Sequence, residues 1–179
     1  MGKQIVAIVD WYGPYRSLKE ARSAARSDYG EGLYMLLGRK KNQKKTRIQY
    51  IGVAMDISNR LTNNHKIASI LEQKREIWLG EIGSTGIPGR KNKKLAIQID
   101  LVEWAHAYFL NIENNKNKTK KPPDKPITVI NRWWKKDYVT PYWTRPHKDW
   151  PDIIDFKGKD YGCTVGWVNK RKKWKMGDF

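Results

Sequence analysis

Residues 95–111 constrain this chain most. At about 100° per residue, Ile97, Leu101, Trp104 and Tyr108 fall on one side of a helix, and Leu95, Ile99, Val102 and Phe109 fall on the other. A helix that is apolar almost all round has to be buried on two faces. The rest of the chain must therefore supply material on both sides of it. With 179 residues there is enough for one sizeable core and some decoration. The few polar members of this helix, Gln98, Asp100, Glu103 and His106, then need partners, because an unpaired carboxylate in apolar surroundings is costly.

Short strands are expected on either side of it. Residues 5–9, 33–37, 48–53, 77–82 and 127–130 are compact apolar runs of strand length. Trp11-Tyr12-Gly13-Pro14 reads as a turn, and Ser17 as the cap of a short helix over residues 18–27. Gly52, inside a strand, marks a place where another backbone or a ligand approaches closely. Asp56-Ile57-Ser58 reads as a helix start, with Ile57, Leu61, Ala68 and Leu71 forming its apolar stripe. Arg60 and Asn64 lie at the margin of that stripe. Residues 83–94 form a Gly-rich basic loop. Residues 114–125, Lys- and Asn-rich and carrying Pro122-Pro123, read as a flexible linker. Residues 131–179 read as short strands and turns.

Charge narrows the choice of partner. The chain carries 36 Lys+Arg against 18 Asp+Glu, a formal net charge of +18. Such an excess concerns partners rather than fold, and a polyanion, nucleic acid above all, is the natural one. Six of the nine Trp fall after residue 113, among lysines and arginines, a composition suited to gripping phosphates and stacking on bases. Buried Trp in a small β-rich module is the bland alternative. A single cysteine, Cys163, excludes a disulfide within the chain and a Cys-rich zinc site. A reducing cytoplasm fits best. No apolar run is long enough to span a membrane.

Gly32-Leu33-Tyr34 on one strand, a basic connection, Tyr50-Ile51-Gly52 on the next, Arg60 ten residues beyond the second tyrosine, and Glu103 on a downstream helix together resemble the GIY-YIG nuclease superfamily of homing, repair and restriction endonucleases. The resemblance covers roughly residues 30–131. It implies an α+β fold, a small three-stranded antiparallel sheet flanked by helices. Residues 1–29 would then be an N-terminal strand-helix extension, and residues 132–179 a basic, Trp-rich, β-containing C-terminal extension. It also implies metal-dependent hydrolysis of DNA phosphodiester bonds, with one Mg²⁺ or Mn²⁺ per active site.

The residues carry over one by one. Tyr34 would be the general base, with Tyr50 beside it. An unperturbed tyrosine has a pKa of about 10 and needs nearby positive charge to serve near neutrality. Arg60 would neutralise charge building on the phosphate. Glu103 would bind the metal, since Asp100 falls on another helix face and Glu113 at the helix end. His65 is open. Family members often carry a histidine four residues after the arginine, and here the spacing is five. On an ideal helix His65 lies about 140° from Arg60, so either the helix is irregular or His65 is a surface residue. His106 reads as a core or supporting histidine, and Asn131 as a match to a family asparagine at a lengthened distance. Lys40, Lys41, Lys44, Lys45, Arg132 and Lys135 are the expected nucleic-acid contacts. Duplex DNA is the expected partner, and a homodimer is one way for a single-site chain to cut both strands. The main rival is a nucleic-acid-binding module without the chemistry; a basic structural or anti-nuclease protein is a third reading.

Overall fold

The computed structural model describes residues 4–71, 73–83, 97–167 and 170–174. Eight strands form one mixed sheet: β1 (Ile5–Tyr15), β2 (Gly32–Arg39), β3 (Arg47–Ala54), β4 (Gln73–Ile82), β5 (Ile127–Trp134), β6 (Ile153–Phe156), β7 (Cys163–Trp167) and β8 (Lys170–Trp174). Their order is β3-β2-β4-β1-β5-β6-β7-β8. All neighbours are antiparallel except β1 and β5, which run parallel. This overturns the expected small three-stranded antiparallel sheet flanked by helices. The antiparallel trio β3-β2-β4 is one end of a larger mixed sheet in a chain built mostly of strands.

The reason lies in β1. Residues 5–9 looked like a short strand of an extension, closed by a turn at Trp11-Tyr12-Gly13-Pro14. The strand instead runs through that turn sequence, with a register shift between Tyr12 and Tyr15, and pairs with β4 on one side and β5 on the other. Trp11 and Tyr12 are both fully buried, on opposite faces, and burying two large aromatics outweighs the local preference for a turn.

Among the described residues four helices cover the sheet. α1 (Leu18–Asp28) is capped by Ser17, whose side chain accepts from the Glu20 amide. α2 (Ile57–Arg60) and α3 (Lys66–Ser69) are single turns, and α4 (Ile97–Phe109) is the long apolar helix. Alternate residues of a strand face opposite ways. Leu33, Met35 and Leu37 of β2 pack with α4, while Tyr34 and Leu36 pack with α1, α2 and α3. The sheet thus separates two cores. No helix among the described residues is long and apolar enough to cross a membrane.

The segment read as a flexible linker is anchored to the edge strand. Asn115 is buried, its Oδ1 accepts from the Ile51 amide at 3.1 Å and its Nδ2 donates to the Ile51 carbonyl at 2.6 Å. Asn114 donates to the Gln49 carbonyl at 2.6 Å. Two side chains thereby satisfy the middle of the exposed ladder of β3, at Gln49 and Ile51, which would otherwise be a template for pairing with another chain.

Candidate active site

One row of the sheet organises the site. Tyr34 on β2 stands opposite Gly52 on β3 and Leu79 on β4. Gly52 has no side chain, and the Tyr34 ring occupies the space. A Cβ built there would sit 2.4 Å from Tyr34 Cζ and 2.5 Å from its hydroxyl. The close approach at Gly52 is therefore made by a side chain, the first tyrosine of the pair, and not by the backbone or ligand expected there. Tyr50, two residues earlier on the same strand, points to the same face, with its ring centroid 5.8 Å from that of Tyr34.

His65 joins them because the predicted helix is broken. α2 ends at Arg60, residues 61–65 turn, and the His65 amide bonds the Thr62 carbonyl at 3.0 Å. His65 then caps α3: its Nδ1 accepts from the Ala68 amide at 3.2 Å. That bond leaves the proton of the neutral ring on Nε2, which faces the Tyr34 hydroxyl at 3.1 Å. The His65 ring also lies 5.6 Å from Tyr34 and 5.4 Å from Tyr50, edge-on to both. The ideal-helix objection to His65 disappears with the ideal helix.

Arg60 completes the cluster. Its Nε donates to the Tyr34 hydroxyl at 3.4 Å, while the residue as a whole is exposed. Tyr34 itself is fully buried, His65 is buried and Tyr50 is partly exposed. Burial and then the neighbouring Tyr50 raise the Tyr34 pKa, and Arg60 only partly offsets them. The free protein therefore holds Tyr34 as a neutral phenol, against the expectation that surrounding positive charge lowers it. Burial and then Arg60 depress the His65 pKa, which keeps its ring neutral.

Glu103 is held elsewhere. It lies on α4, whose apolar residues pack on the other face of the sheet, and is buried. Its Oε2 accepts from Lys118 Nζ at 2.7 Å, and the same ammonium reaches Asp100 at 2.6 Å. Burial raises the Glu103 pKa, Lys118 opposes that, and Arg60 also favours the ionised form. Glu103 thus shares an electrostatic field with the cluster. Lys118 was not foreseen; only the need of a buried carboxylate for a basic partner pointed to it. Among the described residues no three His, Cys, Asp or Glu side chains gather as metal ligands.

His106 and Asn131 form a separate buried knot. Asn131 Oδ1 accepts from Trp11 Nε1 at 2.8 Å and lies 3.1 Å from His106 Nε2, and Asn131 Nδ2 donates to the Pro151 carbonyl at 2.9 Å. His106 Nδ1 lies 2.8 Å from the Val102 carbonyl. Burial pushes the His106 pKa down to about 4. This knot ties α4, β1, β5 and the segment before β6 together on the face away from Tyr34.

The expected nucleic-acid contacts are scattered. Lys41, Lys44 and Lys45 are exposed on the β2–β3 connection, and Lys40 donates to Asn114 Oδ1 at 2.9 Å. Arg132 makes a two-pronged ion pair with the buried Asp10, at 2.7 and 2.6 Å, and Lys135 is exposed. Sequence reasoning passed over Trp143, which is 94% exposed. No family model matches the chain, and neither a curated protein nor a solved structure matches it.

Proposed function

We propose that the protein is a metal-dependent endonuclease that hydrolyses phosphodiester bonds in duplex DNA. The observation that carries this reading is the convergence of Tyr34, Tyr50, His65 and Arg60 on one face, with the Tyr34 ring seated on Gly52. Two tyrosines that merely packed a strand would not need a histidine of fixed tautomer and an arginine aimed at one hydroxyl.

The residues divide the work. Arg60, exposed at its outer side, meets the phosphate and balances the charge that builds on it. Tyr34 and Tyr50 act as a unit that first releases a phenolic proton to solvent through the accessible Tyr50 hydroxyl and then, as the phenolate, takes the proton of the attacking water. His65 Nε2–H and Arg60 Nε–H both point at the Tyr34 oxygen and stabilise it when it gives up its proton. Glu103 suits a hard divalent cation as a single carboxylate ligand, provided that Lys118 withdraws to the more exposed Asp100. Bound there, Mg²⁺ or Mn²⁺ would supply positive charge to the phosphate and acidify a water. The surrounding basic surface gives duplex affinity that weakens with salt.

Nicking of supercoiled plasmid in Mg²⁺ tests this. Cleavage is expected to stop with chelator, in Glu103→Ala and in Tyr34→Phe, the last by about 10²- to 10⁴-fold. Cleavage that survives the chelator, or both substitutions, sinks the mechanism.

One observation favours a second reading. Glu103 is already neutralised by Lys118 and Tyr34 is a neutral phenol, as a binding module without chemistry would tolerate. Salt-sensitive DNA binding with no cleavage of any DNA or RNA would decide for that module.

A further inference from the structure

The row that holds Tyr34 continues across the sheet to a second site. Leu79 stands opposite Tyr12 on β1, and Tyr12 opposite Trp134 on β5. Residues paired across strands face the same way, so Trp134 shares the face of Tyr34 at three strand spacings, about 14 Å. Trp134 forms one wall of an open cleft of about 920 Å³. Tyr142, Trp143, Arg132, Arg145 and Lys148 also line it, and Asp152 is the one carboxylate among its lining residues.

Three features of this cleft go together. The first is the exposure of Trp143, a large flat apolar ring left in water. The second is how firmly its backbone is fixed on either side. The Tyr142 amide bonds the Trp133 carbonyl at 2.8 Å, and the Tyr142 ring packs edge-on to Trp78. Arg145 pairs with Asp152 at 3.1 Å, and Trp150, fully buried, packs against Trp11, Trp78 and Trp133. An exposed ring on an anchored loop is a partly preorganised platform, because the backbone entropy is already lost and only the side chain remains to be ordered when something stacks on it. The third is charge: three cations ring the aromatics, Arg132 paired inward with Asp10 and Arg145 with Asp152, and the Arg132 guanidinium lies 5.7 Å from the centroid of the Trp134 ring. Trp133, also in the lining, is buried with its Nε1–H unpartnered among the described residues.

We propose that this cleft binds an unstacked nucleotide of a nucleic-acid strand, the base stacked on Trp143 and the flanking phosphates met by Arg145 and Lys148. Flat aromatics among cations, in a chain of charge +18, match a polynucleotide better than an apolar or basic peptide. The proposal rests on the reading that the substrate is a nucleic acid, but not on the chemistry at Tyr34. Trp134, the cleft wall on the tyrosine face, stands about 14 Å from Tyr34 along the row, roughly four base steps of 3.4 Å, while Tyr142 packs on the Trp78 face, so the cleft opens where the two faces meet at the end of β5.

The test is binding of a fluorescein-labelled oligothymidylate about twelve nucleotides long, with chelator present, followed by anisotropy. Trp143→Ala is expected to weaken affinity about 5- to 150-fold, and Trp143→Phe to restore most of it. An abasic strand of the same length should bind wild type and Trp143→Ala alike. Lys148→Gln should lower the salt slope by about one. Because Trp143 is exposed, its removal leaves the core intact, and a circular dichroism melt checks this. Equal affinity of wild type and Trp143→Ala for the oligothymidylate overturns the proposal, as does equal affinity of wild type for the abasic and the thymidylate strand. Plasmid nicking that persists alongside either result leaves the nuclease reading standing. Base-dependent binding without nicking sinks only the chemistry.

Discussion

Tyr34 projects from one face of the sheet and Glu103 sits on α4, the helix packed on the other, yet Arg60 acts on both, and they are held in different ways. Tyr34 is fixed from every direction: Gly52 beneath the ring, His65 and Arg60 on its hydroxyl, Tyr50 alongside. Glu103 has one strong partner, Lys118, and that partner is shared with Asp100. The first arrangement leaves little to rearrange. The second is a carboxylate whose positive charge comes from a side chain able to lean either way. The tyrosine side is fixed in position, and the glutamate side shares its one cation with a neighbour.

The largest test of this contrast is the pH profile. A general base acts in its deprotonated form, and burial has raised the Tyr34 pKa. Below that pKa the reactive fraction falls about tenfold per pH unit, so single-turnover cleavage should rise about 10³-fold from about pH 6 to about pH 9. Glu103, also raised by burial, adds a loss of the same sign on the acid side. The limb above neutrality is therefore assigned to Tyr34, and Tyr34→Phe should flatten it. A wild-type profile that is flat above neutrality would remove the phenol from the proton transfer and leave both sides of the sheet equally passive.

Gly52→Ala comes next. The new methyl would occupy the space of Tyr34 Cζ and Oη, and the backbone of β3 is held by β2 and by Asn115. The ring must move, and a shift of about 1 Å at a catalytic group costs about 10²-fold. Cleavage should fall by that order while Mg²⁺ affinity stays unchanged, because Glu103 is on the other side. A loss of metal affinity in Gly52→Ala would show the two sides to be one rigid unit.

Parts of this were legible in the residues and parts were not. Gly52 announced a close approach, though not that Tyr34 made it. The stripe Ile57, Leu61, Ala68 and Leu71 did mark the buried side, and all four are buried. Its continuity concealed the break at residues 61–65, since a periodic apolar pattern survives a turn whose polar members point outward. Thr62-Asn63-Asn64, residues that bond their own backbone, was the available signal for that break, and it would have moved His65 from doubtful to adjacent. The sheet was misjudged because β1 carries turn chemistry in its second half and its value lies in pairing with β4 and β5, far away in sequence. Asn115 and Lys118 sat in a stretch whose composition reads as linker. Nothing local distinguishes an asparagine that closes a sheet edge from one in solvent.

Lys118 gives the smallest effect and the sharpest distinction. Its side chain is about three-quarters buried between Asp100 and Glu103, and both bonds hold it protonated despite burial. Lys118→Met removes the resident positive charge and leaves Glu103 desolvated without a partner, which is costly. If Glu103 is the metal ligand, that cost becomes an incentive to bind metal. The half-saturating Mg²⁺ concentration should fall about tenfold, about 1.4 kcal/mol. The variant should melt below wild type in chelator and regain more of its melting temperature than wild type when Mg²⁺ is added, because a ligand that binds only the folded state stabilises it. Loss of cleavage in Lys118→Met at every Mg²⁺ concentration, with no gain in melting temperature on adding the ion, would mean that the ammonium itself is the working charge at Glu103. The two sides of the sheet would then differ in residue type only, each a fixed arrangement of the chain's own side chains.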